Sequence, residues 1–81
     1  MAVEVVRAAV VGPSNLYLHF SDGVSGEVNV ADVVPFRGVF APLADAAFFA
    51  QATVDAHWGV VSWPGNIDLA PESLYAAAVR P

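Results

Sequence analysis

The feature that most constrains the fold is an alternation of apolar and polar side chains on both sides of a short turn. Residues 16–20 place leucine and phenylalanine at every second position, and residues 24–30 carry three valines spaced by four and two. A period of two is typical of β-strands that bury one face and expose the other. The pattern therefore predicts two paired strands, with Tyr17 and His19 on the face opposite the core.

The turn between these strands fixes their register. A three-residue loop over residues 21–23 pairs Phe20 with Val24 and Leu16 with Val28, so the two apolar sets share one face. A two-residue turn would place the apolar side chains of one strand opposite polar ones. The third residue of such a loop needs a positive φ, and Gly23 stands there. We predict the three-residue loop.

The residues before this hairpin predict a strand of a different kind. Residues 3–11 are rich in valine, with Val5 and Val11 on one face and Val6 and Val10 on the other. A strand that is apolar on both faces is normally covered on both faces. We therefore expect both sides of this strand to be covered.

The middle of the chain predicts a connection and a short helix. Residues 31–42 contain two prolines and a glycine, which suits a segment that wraps the edge of a sheet. Asp45 is a typical N-cap residue for a helix over residues 46–51, in which Phe48 and Phe49 supply the buried contacts. A helix this short depends on tertiary packing.

A second hairpin follows this helix. With a four-residue loop over residues 56–59, Val54 pairs with Val61 and Ala52 pairs with Trp63. One face of the hairpin is then apolar and the other is mixed, so the register is self-consistent.

The end of the chain predicts a turn, a short extended piece and a helix. Residues 64–66 turn the chain, and residues 67–69 are extended. Pro71 suits the first turn of a helix, while Glu72 and Arg80 complement the two ends of the helix dipole. The apolar stripe of this helix is Pro71, Leu74, Tyr75 and Ala78.

Together these elements predict a single α+β domain over residues 1–81. The expected architecture is a set of antiparallel hairpins with about five strands and two short helices, in the order β-β-β-α-β-β-α. The chain has 81 residues, which is the size of one small domain.

The composition suggests a partner. Apolar residues make up 57% of the chain and charged residues only 14%, against about 25% in an average domain. One interpretation is that another polypeptide covers part of the apolar surplus. The alternative is that the many alanines, which are weakly hydrophobic, are simply exposed.

The charge balance argues against nucleic acid as the ligand. The chain carries three cationic and eight anionic side chains, a net charge of −5, and its three arginines form no cluster. Phosphate backbones are bound by clusters of Lys and Arg. There is no cysteine, no signal-peptide pattern at the start and no apolar run long enough for a membrane span. We expect a cytoplasmic protein without a membrane or nucleic-acid contact.

No catalytic or metal-binding constellation is recognisable. His19 and His57 fall in different hairpins, and no spacing brings them together with a carboxylate as a zinc site requires. Asp22, Asp55 and Asp68 each stand at a turn or beside a helix start, which are structural positions. We therefore predict no catalytic residue, no metal site, no cofactor and no enzymatic activity.

The aromatic residues are the candidates for binding. Trp63 is expected in the core, because its predicted partner is apolar. Trp58 lies in the loop of the second hairpin, where it either folds back over the sheet, which we expect, or contacts a partner. Tyr17 and His19, on the outward face of the second strand, are the other candidates for a partner contact.

A set of short fragments, taken in their order and spacing, resembles the bacterial "domain of unknown function 2442" family over about residues 3–78. The fragments are Phe20-Ser21-Asp22-Gly23, Gly38-Val39-Phe40, Pro42-Leu43, Asp45, Phe48, Val54-Asp55, Gly59, Trp63-Pro64, Asp68-Leu69, Pro71-Glu72 and Leu74-Tyr75. One departure is that this chain has Gly65 before Asn66 where the family usually has the reverse order.

The resemblance implies a short α+β domain without an established catalytic residue. Members of the family are free-standing or precede a helix-turn-helix domain, and none follows in this sequence. Free-standing members are often encoded beside another small protein, in an arrangement that looks like a toxin–antitoxin pair.

Two hypotheses on function follow. The first is a non-enzymatic interaction module, the regulatory or antitoxin-like half of a two-protein bacterial system, which contacts its partner through Tyr17, His19 and Trp58. The second is a homodimeric domain that senses a small ligand in a pocket lined by Trp58, Trp63 and Tyr75, between the second hairpin and the last helix. A hydrolase or metalloenzyme is the least supported function.

Overall fold

The computed structural model describes residues 3–79, and within them the chain forms six strands and two α-helices. Strands β1 (Val5–Val10), β2 (Asn15–Phe20) and β3 (Ser25–Asn29) make one antiparallel sheet in the order β1-β2-β3. The α+β class is therefore confirmed. The expectation of about five strands is corrected to six, in two sheets of three.

The hairpin of β2 and β3 has the predicted register. Leu16 pairs with Val28, and the amide of Phe20 donates to the carbonyl of Val24 at 2.8 Å. Gly23 has a φ of 92°, which a residue with a side chain adopts only with strain. The three-residue loop and its glycine are confirmed.

Strand β1 departs from the predicted pattern. Its pairing with β2 shifts by one residue just after Val5, which is a β-bulge. Because of the bulge, Val10 shares the inner side with Val5 and lies opposite Leu16, so the predicted division of the valines between the two faces is wrong. The described chain covers this strand only in part: Val6, Val10 and Val11 are 58%, 38% and 52% exposed.

The connection after β3 folds into two 3-10 helices, Val30–Asp32 and Gly38–Ala44. The side chain of Asn29 accepts a hydrogen bond of 3.1 Å from the amide of Ala31 and so caps the first of them. The second contributes the fully buried Leu43 to the core.

Helix α1 (Ala46–Phe49) starts where the sequence predicts and ends earlier. The Asp45 carboxylate accepts hydrogen bonds of 2.8 and 3.2 Å from the amides two and three residues on, which confirms the N-cap. The helix is one turn long instead of extending over residues 46–51, because the chain enters the next strand at Thr53. Phe49 is fully buried, whereas Phe48 is buried only in part.

The second sheet has the strand order β4-β5-β6, formed by β4 (Thr53–Asp55), β5 (Val60–Trp63) and β6 (Ile67–Leu69). The predicted pairing of Val54 with Val61 is confirmed. The ladder begins at Thr53, so Ala52 lies just outside it. The extended piece predicted over residues 67–69 is the edge strand β6, in which Ile67 pairs with Trp63.

Helix α2 (Pro71–Ala78) begins at the predicted proline, with Glu72 in its first turn and Leu74 fully buried. It packs on β3, where Gly26 makes room for it: a Cβ atom on Gly26 would lie 2.9 Å from the carbonyl oxygen of Ala78. Arg80, predicted to complement the helix dipole, lies outside the described residues.

One hydrophobic core joins the two sheets and the helices. Trp63 is 4% exposed, and its Nε1–H donates to the carbonyl of Phe49 at 2.9 Å, so the predicted core position of this residue is confirmed. In residues 3–79 no helix is long and apolar enough to cross a membrane. The buried apolar residues are Val5, Leu16, Leu18, Phe20, Val28, Val30, Leu43, Phe49, Val61, Trp63, Ile67, Leu69 and Leu74.

Candidate functional site

The loop between β4 and β5 presents an exposed tryptophan on an ordered backbone. The Asp55 carboxylate accepts hydrogen bonds from the amides of His57, at 3.0 Å, and Trp58, at 3.3 Å. The carbonyl of Asp55 also accepts from the amide of Gly59 at 2.7 Å. Trp58 is 68% exposed, so the expectation that it folds back over the sheet is wrong. Its ring lies edge-on to that of His57, with the ring centroids 4.8 Å apart.

A hydrogen bond at Gly59 joins this loop to the start of β1. The amide of Val5 donates to the carbonyl of Gly59 at 2.9 Å. Gly59 has a φ of 67°, and a Cβ atom there would lie 2.5 Å from the Cβ of Glu4. Only glycine fits such an approach without displacing the backbone. The exposed Trp58 is therefore held beside the edge of the first sheet.

Strand β1 is one of the two edge strands of that sheet, and exposed valines lie on it and directly after it. Val6, Val10 and Val11 are between 38% and 58% exposed. We call the surface formed by Trp58 and these three valines the β1 edge surface. Exposed valines and an exposed aromatic residue at one edge of a sheet are typical of a protein contact.

Tyr17 and His19 lie on the outward face of the first sheet, as the sequence predicts. Their rings meet edge to face, with the centroids 5.3 Å apart, and the Tyr17 hydroxyl lies 3.2 Å from the Ser25 hydroxyl. In the register of β1 and β2 they stand opposite Ala9 and Arg7. The structure thus places these two residues together, one strand away from the free side of β1.

The three residues of the predicted ligand pocket have separate surroundings. Trp63 packs against Phe49 in the core, with the ring centroids 5.5 Å apart. Tyr75 packs edge to face on Phe20 at 5.0 Å. Trp58 is exposed on the loop described above, so the structure does not bring the three aromatic side chains into one cavity.

Tyr75 instead ties helix α2 to the turn between β2 and β3. Its hydroxyl donates to the Asp22 carboxylate at 2.6 Å. This bond, followed by one from the amide of Val24, lowers the pKa of Asp22 below its ordinary value of 3.8. The same bond, with burial and the negative charge of Asp22, raises the pKa of Tyr75 above 10.0. Both pKa shifts arise from the hydrogen bond that joins helix α2 to the turn, which is a structural contact.

A cleft of about 700 Å³ opens on another part of the surface and was missed by sequence reasoning. Its walls are mostly apolar and come from distant parts of the chain. Gly65 and Asn66, with φ angles of 86° and 64°, form the turn at one side of it. The lining residues are Gly38, Val39, Pro42, Phe48, Pro64, Gly65, Asn66 and Ile67.

The carboxylates near these features have structural partners. Asp22 accepts from Tyr75, Asp45 caps helix α1 and Asp55 orders the loop of Trp58. Among residues 3–79 no three His, Asp or Glu side chains are grouped so that they could hold a metal ion.

The fold and this surface together define a small α+β domain that presents an aromatic residue beside an open strand edge. Comparison with known proteins shows the family of this domain. The model of the family described as "Protein of unknown function (DUF2442)" matches residues 5–80, and the chain belongs to that family. The resemblance found in the sequence is thereby confirmed. No curated protein and no solved structure matched the chain.

Proposed function

We propose that this chain is a non-enzymatic protein-interaction module whose contact site is the β1 edge surface. The observation that carries the proposal is Trp58, which is 68% exposed on a loop whose backbone is held by hydrogen bonds from the amides of Trp58 and His57 to Asp55. Large aromatic residues are mostly buried in a domain on its own. One whose backbone is already ordered loses less conformational entropy when a partner covers it.

The surroundings of Trp58 support the same function. The exposed valines begin beside its loop, because Val6 directly follows Val5, whose amide bonds to Gly59. Residues with this exposure contribute to binding when they are removed from water, at about 25 cal/mol per Å² of apolar area. We further propose that the partner is a polypeptide and that the chain acts as the regulatory half of a two-protein system in the cytoplasm. The antitoxin-like role is one form of this proposal.

A photo-crosslinking experiment in the native host tests this function. A benzophenone amino acid replaces Trp58 in one variant and Glu72, an exposed residue of helix α2, in the control variant. Irradiation of the Trp58 variant is expected to give a discrete adduct with one protein, either another copy of the chain or a second polypeptide. The control is expected to give none. Equal labelling at both positions, or no adduct at either, would contradict the proposal.

The cleft supports a second candidate function, the binding of a small apolar ligand. Its mostly apolar walls and volume of about 700 Å³ are in the range of small-molecule sites. Val39, at the cleft, is 74% exposed, so Val39→Asp changes the lining with little effect on the core. Fluorescence of the probe 8-anilinonaphthalene-1-sulfonate is expected to rise with the wild type and with Val79→Asp, and to fall severalfold with Val39→Asp. Equal fluorescence with both variants would remove this candidate.

A further inference from the structure

We propose that the β1 edge surface binds the same surface of a second copy of the chain, with two β1 strands pairing antiparallel about a twofold axis. Ala9 of one copy then lies opposite Ala9 of the partner subunit. The β1-β2-β3 sheets of the two copies become one six-stranded sheet. This inference rests on the proposed function, since it names the partner that the β1 edge surface takes in the purified protein.

The backbone groups of β1 point alternately towards β2 and away from it. The amide of Val11 donates inward to the carbonyl of Asn15, and the pairing alternates along the strand. Arg7 and Ala9 therefore also bond to β2, whereas the backbone groups of Ala8 and Val10 point away from the sheet. In the described part of the chain, no other strand pairs with this side of β1, but β4 and β5 contact β1 and the amide of Val5 bonds to Gly59, so the open part of the edge is the part after Val5. An open strand edge with exposed valines is a template for a further strand.

Charge is unevenly distributed along the chain. The chain carries a net charge of −5, yet no carboxylate occurs between Glu4 and Asp22, a stretch that contains the whole of β1 and β2 and includes Arg7. Two acidic copies repel each other over most of their surfaces, and like charges facing each other across strands are destabilising. The β1 edge is where two copies meet without opposing carboxylates.

The register of this pairing follows from the backbone groups that point away from β2. These groups must bond to one another, so Ala8 and Val10 of one copy can pair only with Ala8 and Val10 of the other. A pairing centred on Val10 would place Ala8 opposite the partner's Gly12, beyond the end of β1. A pairing centred on Arg7 would oppose two guanidinium groups. A pairing centred on Ala8 would place the partner's Val11 against Val5, whose amide is already bonded to Gly59. The pairing centred on Ala9 joins Ala8 to the partner's Val10 twice and uses only the regular part of the strand.

Trp58 completes this arrangement. In the register centred on Ala9, the partner's strand ends opposite the β-bulge, and its turn at residues 12–14 reaches the loop that Gly59 fastens to β1. Trp58 of each copy then packs against that turn of the other. The paired stretch is short, so we expect a dimer with a dissociation constant in the micromolar range.

Disulfide trapping tests the register. The chain has no cysteine, so a single substitution gives an unambiguous product. Ala9→Cys places the two thiols in a non-hydrogen-bonded pair, where Cα atoms are about 4.5 Å apart and a disulfide fits. The control is Val79→Cys, at a position that is 50% exposed. Under mild oxidation the Ala9 variant is expected to form dimer at least about tenfold faster. Equal rates would overturn the pairing.

Light scattering of the purified chain gives the second readout. The weight-average mass of the wild type is expected to rise from 8.5 kDa towards twice that value over the micromolar range. Val11→Lys is expected to stay monomeric, and Val79→Lys, at a position of similar exposure (50% against 52%), to behave as the wild type. A wild-type chain that stays monomeric throughout overturns the self-pairing. If the benzophenone at position 58 still crosslinks to a different protein in the host, the proposed function stands. If it crosslinks to nothing, the self-pairing and the proposed function both fail.

Discussion

The contact between the Trp58 loop and β1 gives the sharpest prediction on stability. Gly59 has a φ of 67°, and a Cβ atom there would lie 2.5 Å from the Cβ of Glu4, an atom fixed by the backbone. Gly65 has a similar φ of 86° with no atom within 4 Å of its Cβ position. Alanine at either position meets the same kind of backbone strain, and only Gly59→Ala also meets a collision.

The magnitudes follow from these two terms. A residue with a side chain in the left-handed region costs about 1–2 kcal/mol, which is all that Gly65→Ala should lose. Forcing an extra methyl group into a packed contact costs a further 1–3 kcal/mol or so, which brings Gly59→Ala to about 2–5 kcal/mol. The difference between the variants therefore measures how firmly the loop is docked on β1.

Urea denaturation provides the assay. Both variants should unfold at lower urea with an unchanged slope, and the Gly59 variant should have the lower midpoint. For a domain of this size, each kcal/mol corresponds to about 4–8 °C in the melting temperature. Equal losses for the two variants would show that the loop is not held against Glu4, and the placement of Trp58 beside β1 would be wrong.

Three further contacts predict measurable effects. Trp63→Phe removes the indole donor from the carbonyl of Phe49, which keeps its bond from the amide of Ala52, and should lower the free energy of unfolding by about 0.5–1.5 kcal/mol, measured by urea denaturation; no loss would contradict the assigned bond. Asp45→Ala should lower the stability by about 1 kcal/mol and Asp45→Asn by less, since asparagine also caps; equal losses would contradict the cap. Because the pKa of Asp22 is lowered and that of Tyr75 is raised, the stability from their bond should be lost as the pH falls below 3.8 and again as it rises above 10.0. Tyr75→Phe should weaken both dependences in pH-resolved melting curves, and unchanged curves would show that the bond contributes nothing.

The registers of the hairpins could be predicted because each combines a period of two with turn glycines. Gly23 selects one loop length, and only that length puts Phe20 and Val24 on the same face. The β-bulge in β1 leaves no such signal. Its valines occupy both parities of the sequence, so a shift of one residue after Val5 exchanges apolar side chains for apolar side chains.

Less of the candidate site than of the fold could be predicted from the sequence. Tyr17 and His19 follow from the alternation of β2, and their outward position is confirmed. The exposure of Trp58 depends on Asp55 and Gly59, a turn-forming pair four residues apart that would have indicated an ordered loop. The cleft could not be predicted, since it forms only when the connection around Val39 packs near the turn at Gly65.

The central claim is that the open side of β1 accepts a strand from another polypeptide. Amide hydrogen exchange of the ¹⁵N-labelled chain, followed by NMR at Ala8 and Val10, tests it most directly, with the inward-bonded amide of Ala9 as the internal reference. Exchange at Ala8 and Val10 should be fast in dilute solution and should slow strongly when the chain is concentrated or placed in a lysate of its host, while Ala9 stays protected throughout. If Ala8 and Val10 exchange at the same fast rate under all three conditions, no strand pairs with this edge and the account is wrong.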